Sequence, residues 1–80
     1  MTRTYIKWVD APIWVKVGRN IRDCRKWKKY TPEKLAFEAK IDLKRFKRIE
    51  RGLTEDITIY EALRIQHVLQ VSQEEIIPLL

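Results

Sequence analysis

Two helix-start signals lie so close together in this chain that the first helix must be short. Thr31-Pro32-Glu33 combines an N-cap hydroxyl with proline at the first helical position, where the missing N–H costs nothing and the fixed φ already suits a helix. Leu35, Ala36 and Ala39 then recur on one side, and this helix is expected to stop by Lys40. Ile41 can turn inward and Asp42 can cap. Leu43 to Arg51 supply the next helix, with Phe46 and Ile49 on its buried side and Gly52 closing it at the C′ position. The spacing therefore predicts two short helices joined by a tight connection.

The same period of about three and a half runs on either side of this pair. Upstream, Val17, Ile21, Cys24 and Lys28 share one face of a first helix ending near Lys29, with Arg25 one turn beyond Ile21. Downstream, Thr58-Ile59-Tyr60-Glu61 is a capping box before Ala62, Ile65 and Leu69, and Ser72-Gln73-Glu74-Glu75 is another before Ile76 and Ile77. The expected body is all-α, five helices of roughly eight to twelve residues each.

The first sixteen residues read differently. Thr4 to Val9 and Ile13 to Val17 are rich in β-branched and aromatic residues, and Asp10-Ala11-Pro12 between them reads as a turn. A short β-hairpin or two extended arms is expected over 1–16, ahead of a helical domain over 17–80. A lone two-stranded ribbon is marginal in water, so it is expected to dock on the body or on a partner protein. Trp27 and Phe37 fall where the helical period points to solvent, and with Trp8 and Trp14 they suggest one shared aromatic cluster.

Eighty residues have apolar surface for a single core. A lone Cys24 and a lone His67 fall short of a disulfide or a four-ligand zinc site; Cys24 reads as a small core side chain and His67 as an outer one. Gly-rich phosphate loops, a Ser/His/Asp set and a clustered carboxylate pair are missing, so neither catalysis nor a cofactor or metal is expected. No apolar run is long enough for a membrane span or a signal peptide, and a cytoplasmic location is expected.

Charge is unevenly placed. From Lys16 to Arg51 there are 14 basic and 5 acidic residues, against 3 basic and 6 acidic in the flanks. A basic middle points to a polyanion, because neutralising phosphates releases condensed counterions. On the helix from Leu43, the residues Leu43, Lys44, Lys47 and Arg48 form one strip opposite Phe46 and Ile49, and such a strip can enter a DNA major groove.

Gly18-Arg19-Asn20-Ile21-Arg22, Arg25, Thr31, Glu33, Leu35-Ala36, Ala39, Ile41 and Arg48-Ile49-Glu50-Arg51-Gly52 together resemble the Cro/C1-type (XRE family) helix-turn-helix domain. Val68-Leu69-Gln70-Val71-Ser72 with Glu74-Glu75-Ile76 is similar to that family's closing helices, so the likeness runs from Val17 to Ile77. It implies a lambda-repressor-like five-helix fold, an ion pair between Arg25 and Glu50, and binding to double-stranded DNA. The sequence departs from the family pattern at Pro32, where a glutamine is frequent, and at Lys40 and Gln70, where glycine is frequent.

Chemistry ranks the strip. Lys44, Lys47 and Arg48 can donate to base acceptors, Arg48 with the best bidentate geometry, while Leu43 offers apolar contact. Arg45 projects sideways toward phosphate, and with Pro32 lacking a side-chain donor the remaining phosphate grip falls to Lys28, Lys29, Thr31 and Lys34. Ile76, Ile77, Leu79 and Leu80 crowd a stretch too short to bury them all in one monomer, so they are expected to form a homodimer interface that demands a palindromic operator. The expected function is a dimeric repressor of phage, plasmid or mobile-element type. Alternatives are a restriction–modification controller, an antitoxin whose Trp-rich extension binds its toxin, or an adaptor or RNA binder using the same basic face.

Overall fold

A computed structural model describes residues 11–77. Among them the structure is entirely helical: α1 Ile13–Trp27, α2 Pro32–Glu38, α3 Leu43–Glu50, α4 Ile59–Leu69 and α5 Gln73–Ile76. The lengths are less even than the period suggests, from 15 residues in α1 to 4 in α5.

The N-terminal expectation is corrected where it can be seen. Ile13 to Val17, expected as the second arm of a hairpin, are the start of α1; the first arm, Thr4 to Val9, lies outside the described residues. Pro12 takes the N-cap place and its carbonyl accepts from the N–H groups of Val15 (3.0 Å) and Lys16 (3.2 Å). Val15 packs beside Gly52, at the far end of α3. The β preference of Ile, Trp and Val is a preference for half-buried surface, and a helix that supplies such a surface satisfies it equally well. The helical body therefore begins at Ile13 rather than at residue 17.

The core draws on every helix. Val17 and Ile21 of α1, Leu35 and Ala36 of α2, Phe46 and Ile49 of α3, Ala62, Ile65 and Leu69 of α4 and Ile76 of α5 are buried, and Ala39 and Ile41 close the α2–α3 connection. α1 packs on α3, α4 and α5, while α2 packs on α3 and α4. Gly18 sets the α1–α3 crossing, because a Cβ there would run into the Ile49 carbonyl oxygen. Glycine inside a helix costs about 1 kcal/mol, and the close crossing offsets it.

Four helices end in the same way. After α1, α2, α3 and α4 the chain turns left-handed at Lys29 (φ 63°), Lys40 (φ 58°), Gly52 (φ 73°) and Gln70 (φ 56°), and in each case the next residue's N–H returns to a carbonyl of the last helical turn: Tyr30 to Arg25 (3.0 Å), Ile41 to Ala36 (2.9 Å), Leu53 to Arg48 (3.0 Å) and Val71 to Gln66 (3.4 Å). Only the third has glycine. Each lysine pays on the order of 1 kcal/mol for its Cβ.

Candidate nucleic-acid interface

The candidate surface is built on α3, whose two sides differ completely. Phe46 and Ile49 are buried, at 0% and 2% exposure, while Lys44, Lys47 and Arg48 are exposed. Leu43 is half-buried against the core, so only part of it is left for contact outside. Asp42 starts the helix by accepting from the Arg45 N–H at 3.2 Å.

Both ends of α3 are fastened by an arginine–glutamate pair. At its C-terminal end Arg25 of α1 meets Glu50: Nε donates to Oε2 at 2.7 Å, Nη2 to Oε1 at 3.2 Å, and Nη1 reaches the Tyr30 carbonyl at 2.9 Å. These side chains are only 11% and 9% exposed. At the N-terminal end Arg45 meets Glu61 of α4: Nε donates to Oε2 at 2.5 Å, and Nη2 to Oε1 at 2.9 Å and to the Asp56 carbonyl at 3.2 Å.

Arg45 is therefore corrected from a phosphate ligand to an internal tie. Its guanidinium is occupied by Glu61 and Asp56, and the hydrogen bonds to Glu61 hold it firmly protonated. The same Glu61 closes the α4 capping box, accepting from the Thr58 N–H at 2.9 Å while Thr58 Oγ1 accepts from the Glu61 N–H at 3.1 Å. The Arg45 hydrogen bond, opposed in part by burial, pulls the Glu61 carboxyl from its ordinary 4.5 down to about 2.

The other phosphate candidates cluster at the α1–α2 junction. Lys29 and Lys34 are exposed, and Lys28 is half-buried with Nζ 5.4 Å from the Trp27 ring centroid. Lys34 Nζ stands 4.9 Å from the Tyr30 ring, and Thr31 Oγ1 accepts from the Lys34 N–H at 3.1 Å.

The C-terminal expectation is corrected too. Ile76 is fully buried in the monomer core and Ile77 is half-buried against it, because α5 lies against α1 and α4 and the Asn20 side chain donates to the Ile76 carbonyl at 3.1 Å. Ile76 is thus unavailable to a second copy; Leu79 and Leu80 lie outside the described residues.

A cleft that sequence reasoning missed adjoins the strip. About 270 Å³ in volume, it is lined by Arg22 of α1, Pro32 of α2, Lys47 and Glu50 of α3, and Arg51 just beyond. No local pattern marks it, since its walls come from three separate segments. A larger, mostly apolar cleft of about 320 Å³ between α2 and α4, lined among others by Tyr60, Leu63, His67 and Val68, shares no residue with the strip.

Cys24 is half-buried rather than fully buried, and burial raises its thiol's pKa. His67 is exposed. Trp27 and Phe37 are 74% and 84% exposed, and Trp14, half-buried in α1, is the one residue of the expected aromatic extension cluster that is described. Among the described residues no group of three or more His, Cys, Asp or Glu could hold a metal ion, and no helix is long and apolar enough to cross a membrane. No protein-family model, curated protein or solved structure matches the chain.

Proposed function

We propose that the chain is a Cro/C1-type helix-turn-helix regulator, a sequence-specific binder of double-stranded DNA acting as a cytoplasmic homodimeric repressor. The observation that carries this reading is the division of α3. One side is locked into the core and both ends are tied, while Lys44, Lys47 and Arg48 stand exposed on the other. A rigid helix presenting unspent donors suits base-edge recognition, which rewards side chains already in place.

On this reading α2 and α3 are the helix-turn-helix pair and α3 enters the major groove. Lys44, Lys47 and Arg48 address base acceptors, Leu43 offers the exposed part of its side chain to a thymine methyl, and Lys28, Lys29, Thr31 and Lys34 hold the backbone. Dimerisation brings two such helices to successive turns of one groove face, about 34 Å apart.

Selection of bound sequences from random duplex DNA tests the proposal. A palindromic consensus with half-sites one helical turn apart is the expected result, and recovery of no consensus rejects sequence-specific recognition. The bare aromatic surfaces of Trp27 and Phe37 favour a second reading, a protein partner on this face, which co-purification of a neighbouring gene's product would reveal.

A further inference from the structure

We propose that the cleft bounded by Arg22, Pro32, Lys47, Glu50 and Arg51 seats one backbone phosphate of bound duplex DNA, with Arg22 and Arg51 as its donors. This rests on the DNA-binding reading and adds to it a site that the sequence pattern does not assign. Three cations from α1, α3 and the residue after α3 converge on one cavity of about 270 Å³. The one carboxylate in its wall, Glu50, is already held by both Nε and Nη2 of Arg25.

The three cations differ from the arginines that are fastened inside the fold. Arg25 and Arg45 are tied to glutamates and Arg64 Nε donates to the Ala39 carbonyl at 2.8 Å, whereas Arg22, Lys47 and Arg51 are exposed and form no ion pair among the described residues. Like charges around one small cavity repel one another, and an entering anion offsets that repulsion by attracting each of them. A guanidinium fork matches two phosphate oxygens, so two arginines on opposite segments can hold one phosphate without help from Lys47. Pro32 in the wall has no N–H to offer, which leaves the work to side chains. Lys47 belongs both to this wall and to the α3 strip, so a phosphate seated here lies next to the bases that the strip addresses.

The test compares the full-length protein with an R22Q/R51Q double variant on a short random-sequence duplex, measuring affinity across a salt series. Loss of one seated phosphate makes the slope of log K against log salt shallower by about 0.9 for each bound protomer, weakens all sequences alike, and does not lower the melting temperature. An unchanged slope with DNA binding intact overturns the pocket and spares the DNA-binding reading. If the parent protein binds no duplex, that reading fails, and inorganic phosphate decides the pocket alone. Saturable shifts of the Arg22 and Arg51 Nε–H resonances then support an anion seat, and their absence overturns it.

Discussion

The two ends of α3 are fastened by the same chemistry in different surroundings. Arg25–Glu50 is enclosed at both partners, whereas the Arg45 side chain of Arg45–Glu61 is 34% exposed and shares its charge with Asp56, 77% exposed. A bidentate pair gives direction in both cases, but the cost of losing a partner depends on how far the survivor is from water. The C-terminal tie therefore acts as a structural fixture, and the N-terminal tie as a softer link between α3 and the start of α4.

Breaking the enclosed end has the largest expected effect. Arg25→Met strands the Glu50 carboxylate and leaves the Tyr30 carbonyl without its partner, and removing one member of a buried pair costs about 3–5 kcal/mol. Arg22→Met, on the exposed side of the same helix, stays within about 0.5 kcal/mol. Thermal melts of the two variants measure the contrast, and equal losses would contradict it.

The softer end is best approached through pH. The Glu61 carboxyl titrates at about 2 in the fold, against an ordinary 4.5, so its contribution is complete above about pH 4.5 and is lost as the pH falls through about 2. With solvent access at Arg45 taken into account, the amount is on the order of 2 kcal/mol. Glu61→Gln should be less stable than the parent at neutral pH by about that much, with the difference shrinking toward pH 2 in denaturant titrations. A difference that stays constant with pH would mean that the pair contributes shape rather than charge.

The smallest effect tests the turn that positions α3. Lys40 holds φ 58° with its side chain exposed, so Lys40→Gly relieves a strained Cβ at the expense of some added freedom in the unfolded chain. A gain of about 0.5 kcal/mol is expected, visible as a small rise in melting temperature, and a loss would show that the lysine side chain contributes more than its backbone costs.

What was legible in the sequence was local. Thr31, Asp42 and Thr58 announce their helices within three residues, and each accepts the expected backbone N–H. The β-branched and aromatic content of Ile13 to Val17 points to a strand because it describes a surface rather than a period; Ile13, Val17 and Ile21, four apart, carry the helical one. The tie at Arg45 is not legible locally because its partner lies 16 residues away, and the Thr58–Glu61 box carries no sign that its glutamate has a second task. Ile76 reads as a dimer-interface residue in the sequence because its burial in the monomer depends on where α5 comes to rest, which no pattern within α5 records.

Base reading by α3, as proposed, is decided by selecting sequences from random duplex DNA with the parent protein, Arg48→Ala and Lys34→Ala side by side. Arg48→Ala is expected to lose about 1–3 kcal/mol of discrimination at one position in each half-site, while Lys34→Ala keeps the parent consensus at reduced affinity. An Arg48→Ala consensus identical to the parent's would contradict it.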